Sequence, residues 1–270
     1  MDAQAPRDPG ARKSSPRHLG LTALRLVTIA ACLTLALMLA TAPPREAPRV
    51  GAIGSGCSYE LDTWTGTLTI RPTDGVSGEM ARVRDALPDD LRHAVRSVSV
   101  ERGVLAPADS GDLFGGLYAA EALDLSGLDT SRVTSAQLMF RSCLSLASLD
   151  LSGFDTARVT DVNGMFWNCS SLASLDLSGW DTSGVEGMWG MFAGCSSLSS
   201  LAVGEGCGDV LSTDRHTALP AGVGGWGWHS ARDKRWLALS ELSSSRQGVA
   251  DTYTAPEAWR SLVQATPASP

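Results

Sequence analysis

Leu149–Ser174 reads LDLSGFDTARVTDVNGMFWNCSSLAS. Directly before it, Leu123–Ser148 reads LDLSGLDTSRVTSAQLMFRSCLSLAS, and directly after it, Leu175–Ser200 reads LDLSGWDTSGVEGMWGMFAGCSSLSS. These are three ungapped copies of one 26-residue unit. A fixed period of that size marks a solenoid or array, in which each unit leans on its neighbours. In the middle copy, Leu149-Asp150-Leu151-Ser152 alternates apolar and polar, which predicts a short strand with one buried face. Gly153 is expected to end that strand with a sharp turn. Leu128, Phe154 and Trp180 share one repeat position, which predicts a buried row. Asp155-Thr156 predicts a further turn, because short polar side chains bond nearby backbone.

Val159, Val162, Met165 and Phe166 are spaced as on the inner face of a short helix, expected over Thr160–Phe166 with Thr160 as its cap. Gly164 weakens such a helix, so packing must hold it. One copy buries too little apolar surface to offset the ordering of its own backbone, so stacked copies must share a core. The expected fold is therefore α/β: a leucine-rich-repeat-like solenoid with a parallel sheet on one face, short helices on the other, and small β-containing caps at both ends.

The repeats resemble those of the BspA-type leucine-rich repeat surface proteins of bacteria, whose signature LDLSGFDTSxVTDMxxMFxxCxSLxS is matched closely by Leu149–Ser174. Ser135-Ala136-Gln137 and Glu186-Gly187 depart from it. The resemblance implies display at a cell surface and binding of other cells or matrix proteins, and it brings no catalytic residues with it.

Read outward from the repeats, the chain divides as follows. Residues 1–25 are basic, and 26–42 are an unbroken apolar run that reads as an export signal or a retained membrane anchor. Ala40-Thr41-Ala42 offers a cleavage site, but Pro43 directly after it is unfavourable. Ile29-Ala30-Ala31-Cys32 has the form of a lipidation box, yet Cys32 sits inside the apolar run and reads as a small residue of a hydrophobic helix. Residues 43–55 read as a linker and 56–94 as an N-terminal cap, a hairpin plus a helix. Residues 95–122 read as an irregular lead-in repeat, 123–200 as the three regular ones, 201–263 as a β-rich C-terminal cap, and 264–270 as a disordered tail.

The net charge of −7, with scattered basic residues, disfavours nucleic acid as a partner. No nucleophile elbow, phosphate loop or metal-ligand spacing is present, so no catalytic residue, metal or cofactor is expected. Cys143, Cys169 and Cys195 recur with the period and predict a ladder of small buried thiols. A bridge between Cys57 and Cys207 would have to span the solenoid.

Asp124, Asp150 and Asp176 form a second ladder. With Ser126, Ser152 and Ser178 they are expected on the solvated sheet face, either as a plain acidic face or as a binding face. Neighbouring carboxylates one strand apart repel by only roughly 1 kcal/mol in water, so either reading is structurally tolerable. Asp129, Asp155 and Asp181 are expected to make turns, and Arg132 and Arg158 to pair with the aspartate three residues before each. Trp226, Trp228 and Trp236 are candidates for a sugar-stacking platform, against the commoner role of a small β core.

The main expectation is thus a non-enzymatic, exported binding protein, surface-displayed or secreted. Its partner would be an extracellular protein or cell-surface ligand, and it would meet the membrane only through the apolar segment if that is uncleaved. The alternatives are a structural envelope protein or a carbohydrate-binding module built on the C-terminal tryptophans.

Overall fold

A computed structural model describes residues 46–211, 217, 228–237 and 250–254. The apolar run 26–42, Trp226 and the tail 264–270 lie outside the described residues. Among those described, no helix is long and apolar enough to cross a membrane.

The chain is wound as a parallel-sheet solenoid of about five turns. Its register is the sequence period made physical. Strand β10 (Ser174–Leu177) pairs in parallel with β9 (Ser148–Leu149) and β11 (Ser200–Val203), so that Leu149, Leu175 and Leu201 stand in one row. On the N-terminal side, β7 (Ala122–Asp124) pairs with β5 (Ser97–Val100), and β5 with β3 (Thr67–Pro72). A second face carries β4 (Gly78–Glu79), β6 (Val104–Leu105) and β8 (Leu128–Asp129), again all parallel. On a third face, isolated bridges link Asp109, Ser135, Asp161 and Gly187 in turn.

Apolar residues at equivalent positions fill the interior. Phe114, Phe140, Phe166 and Phe192 are fully buried. Their rings stack face to face at 5.8, 5.7 and 5.9 Å, tilted by only 5–6°. Beside them run Met139, Met165 and Met191, and the cysteines 143, 169 and 195, all buried.

The cysteines form the expected thiol ladder. Each Sγ–H donates to a carbonyl one coil back: Cys143 to Phe114 at 3.4 Å, Cys169 to Phe140 at 3.1 Å, and Cys195 to Phe166 at 3.0 Å. None of the described cysteines is bridged, Cys57 and Cys207 included. Burial pushes the Cys143 and Cys195 thiols up from 9.0 to about 12. The reactive thiolate is thereby scarcer by roughly a thousandfold at any working pH. Mass-spectrometric alkylation at pH 8 should leave Cys143 and Cys195 unmodified in the folded protein and modify both after denaturation. Modification of either under native conditions would contradict the packing.

The short helix expected over Thr160–Phe166 does not form. That segment is a run of tight turns, and its amides split between two partners. Met165 N–H bonds back to Val162 O at 3.1 Å and Trp167 N–H to Gly164 O at 2.9 Å. The alternate amides reach forward one coil: Gly164 to Trp189 O at 2.8 Å and Phe166 to Met191 O at 3.0 Å. The backbone is therefore satisfied between coils, and a helix would forfeit those bonds. The arrangement needs left-handed backbone at fixed places. Gly164 and Gly190 adopt it with φ near 60°, and Leu138 and Asp112 adopt it at the equivalent positions of their coils. A turn repeating every three residues produces the same apolar spacing as a helix, which is why the sequence suggested one.

The ends are closed by strands. A hairpin of β2 (Cys57–Asp62) and β3 turns at Gly66, which needs its positive φ of 73°. The segment expected as a linker contributes β1 (Arg49–Ala52), which pairs antiparallel with β2. Gly51 lies against the Tyr59 ring, 2.6 Å from where a Cβ would stand, so at this position glycine makes room for the ring. The helix expected before the repeats is broken at Pro88 into α1 (Val83–Ala86) and α2 (Asp89–Ala94). At the other end β14 (Asp251–Thr254) pairs antiparallel with β11, and β12 (Trp228–Ser230) joins β14 to β13 (Arg235–Leu237). The last parallel strand is thereby covered, and an open edge is a liability.

Candidate binding groove

The six residues expected on the sheet face, Asp124, Ser126, Asp150, Ser152, Asp176 and Ser178, are all exposed. Alternation places them there: Leu123 and Leu125 point inward on either side of Asp124, and the other coils repeat this. Each aspartate folds back on the serine two residues later. The Ser126, Ser152 and Ser178 amides donate to the Asp124, Asp150 and Asp176 Oδ1 atoms at 3.1, 2.9 and 2.8 Å. The Ser126 hydroxyl also donates to Asp124, at 2.7 Å. These bonds hold the carboxyl of Asp124 below its usual range, the hydroxyl first and the amide second. They do the same for Asp150, there with the Ser152 amide first.

The sign of the pH effect follows. A carboxyl whose folded pKa is depressed adds stability above its unfolded value of about 3.9, and loses it as pH falls through the folded value. Asparagine at 150 keeps an oxygen for the Ser152 amide but cannot titrate. Asp150→Asn should therefore flatten the acid side of the stability profile below about pH 4 while leaving neutral stability nearly unchanged. Parallel denaturation curves at pH 3 and pH 7 check this. An identical acid response in both proteins would refute it.

The six residues line two adjoining grooves that share Asp150 and Ser152. One, of about 360 Å³, lies over Asp124, Ser126, Gly153 and Phe154. The other, of about 630 Å³, continues across Asp176 and Ser178 to Gly179, Trp180 and Thr252. Sequence reasoning missed the last part. Phe154 and Trp180 do belong to an apolar row, stacked at 6.4 Å, but they also wall the grooves. Gly153 lies in the expected turn, where Phe154 N–H bonds to Leu151 O at 3.0 Å, but the turn does not call on glycine's backbone freedom. Neither Gly153 nor Gly179 has a positive φ, and a Cβ at either position would meet nothing within 4 Å. At Gly127 the same atom would stand 2.3 Å from Val100 O. Glycine at 153 and 179 thus leaves space that the fold does not require. The sequence signal was the pair of glycines beside exposed serines, which a turn reading absorbed.

The other candidate positions are placed as follows. Asp129, Asp155 and Asp181 make the expected turns, accepting the amides of Ser131, Ala157 and Ser183 at 2.9–3.1 Å. The threonines after them are buried. Thr130 Oγ1 and Thr156 Oγ1 accept the amides of Asp155 and Asp181, a coil-to-coil tie that single-repeat reading could not see. Arg132 reaches Glu79 at 3.4 Å instead of Asp129, because the parallel strands β4, β6 and β8 set that carboxylate on the same face two coils back. Trp228 is 1% exposed, so its ring serves the core of the C-terminal strands and is closed to a sugar. Trp236 lies on β13, across from His229. Trp167 and Trp189 meet at 5.5 Å on the third face, with Trp189 exposed. No group of histidine, cysteine and acidic residues able to hold a metal occurs among the described residues.

Residues 111–203 match the family model described as Mycoplasma protein of unknown function, DUF285. The match covers the three regular repeats and reaches back to the coil holding Asp112 and Phe114, so it joins the sequence period to the solenoid described above. Comparison with curated proteins and with solved structures gave no match. The repeat arrangement fits a repeat-protein family, and a solenoid with a grooved sheet face suits a binding role.

Proposed function

We propose that this chain is a non-enzymatic binding protein, surface-displayed or secreted, whose contact face is the grooved sheet holding Asp124, Asp150 and Asp176. The observation that carries the reading is the pair of adjoining grooves on that face, lined by all three carboxylates. Extended sheets of stacked repeats offer a rigid surface whose binding side chains are already positioned, so little ordering is lost on contact. The resemblance to bacterial surface repeats points to an extracellular protein or cell-surface ligand as partner. An acidic face favours a partner with a complementary basic patch.

The test is binding of the full chain to a panel of matrix proteins, glycans and whole cells, with Asp150→Arg alongside. Asp150 is exposed and its carboxylate makes only the local turn, so the variant should melt within about 1 kcal/mol of the parent. Saturable binding to a panel member, weakened by about tenfold or more in Asp150→Arg, is the expected result. Binding indifferent to that substitution, with the fold intact, would remove the sheet face as the contact.

A further inference from the structure

We propose that the groove takes an extended polypeptide segment carrying adjacent lysine or arginine side chains, lying across the coils along the solenoid axis. The assignment rests on the contact-face reading above and specifies its ligand.

The carboxylates supply the first reason. Asp124, Asp150 and Asp176 each engage a serine through Oδ1, and among the described residues no lysine, arginine or histidine is paired with any of them. Asp150 and Asp176 lie on coils whose strands β9 and β10 pair directly, about 4.8 Å apart, and Asp124, on the coil before, borders the same groove as Asp150. The row covers about 10 Å, the span of three residues of extended chain. Basic side chains close together in a partner therefore reach all three at once. The whole groove runs from the Leu123 coil past the Ser200 coil to Thr252. That is five strand rows, about 19 Å, or roughly six extended residues.

The second reason is independent of charge. Trp180 is 4% exposed and forms part of the groove wall, and its Nε1–H is buried without an acceptor. An unsatisfied buried donor is costly, and native structures rarely leave one. A polypeptide brings a carbonyl oxygen at every residue. The third reason is room. Gly153 and Gly179 line the groove with open space where side chains would stand, and glycine so placed lets another backbone approach closely. Cations, carbonyl acceptors and a slim backbone are combined in a basic peptide. A neutral glycan lacks the cations, and a polyamine lacks the acceptors.

The probe is hexalysine, titrated into the full chain by calorimetry, with spermine and maltohexaose in parallel. Three variants accompany it, each checked by thermal melting. The triple Asp→Asn change at 124, 150 and 176 removes the charges. Gly179→Leu fills the groove without changing charge, at a position where the fold leaves space. Asp90→Asn removes an exposed charge on α2, outside the groove lining. Hexalysine should bind saturably and more tightly than spermine, with maltohexaose inert. Affinity should fall about tenfold or more in the triple variant and in Gly179→Leu, and hold in Asp90→Asn. Absence of hexalysine binding, or binding untouched by Gly179→Leu, would overturn the basic-peptide assignment. The two readings fail separately. If a panel ligand is lost in Gly179→Leu while hexalysine does not bind, the contact face stands and the peptide assignment falls. If Gly179→Leu affects neither, both fall.

Discussion

Phe166→Ala should lower the unfolding free energy by about 3–5 kcal/mol, the usual cost of emptying a phenylalanine site in a closed core. Phe166 is fully buried and stacks on Phe140 and Phe192 at 5.7 and 5.9 Å, so its loss opens a cavity between two rings in adjacent coils. Regular backbone bonding pins those coils at a fixed spacing, which prevents the gap from collapsing: Phe140 and Phe166 each donate an amide to the next coil, at 2.9 and 3.0 Å. Domains of this kind are stable by only about 5–15 kcal/mol, so the variant should lose a large share of its total. Phe154→Ala provides the comparison. Phe154 is only half-buried and walls the groove, so its removal should cost clearly less. Urea denaturation of the three proteins measures both differences. A loss below about 1 kcal/mol for Phe166→Ala would mean that the stack is not the spine of the core.

Deleting Leu149–Ser174 should leave a shorter but cooperatively folded solenoid, whereas deleting Leu149–Asp161, half of that length, should abolish cooperative melting. The reason is register. Ser148 pairs with Ser174, Leu149 with Leu175 and Ser174 with Ser200, and the bridges Ser135–Asp161–Gly187 keep the same interval of 26. Removing one full interval brings Leu175 to the place of Leu149. The phenylalanine, cysteine and methionine rows then lose one member each but stay aligned. In a quasi-one-dimensional array that costs one repeat and one interface, leaving the rest intact. Removing half an interval sets turn residues such as Val162 and Asn163 beside the strand at Ser148. The aspartates and threonines of one coil then face the apolar rows of the next. Circular dichroism melting and calorimetry distinguish the outcomes. Equal tolerance of the two deletions would contradict coil-to-coil packing.

How far the fold was legible depended on what each residue encodes. Leu149, Leu151 and the recurring Met-Phe and Cys positions encode burial by periodicity, and periodicity was enough to place the parallel sheet and its rows. Ser126, Ser152 and Ser178 were placed on the exposed face for the same reason. The third face was misread because Val159, Val162, Met165 and Phe166 satisfy helical spacing and three-residue turns equally well. The choice between them lies in where the amides of Gly164 and Phe166 find their partners. Those partners, Trp189 and Met191, belong to the next coil. Likewise Arg132 was assigned to a carboxylate near in sequence, while Glu79, two coils away along the stack, is the one it meets.

The sequence by itself determined that the chain stacks, with what period, and which side chains line its core, because a repeat too small to bury its own apolar face has no other stable solution. Only the tertiary structure decided what the stack is built from and what it leaves open. Turns replace helices because inter-coil hydrogen bonds exist only once the coils are in register. The groove exists because Gly153, Gly179 and Trp180 meet the aspartate row across neighbouring coils, a juxtaposition that no single repeat contains.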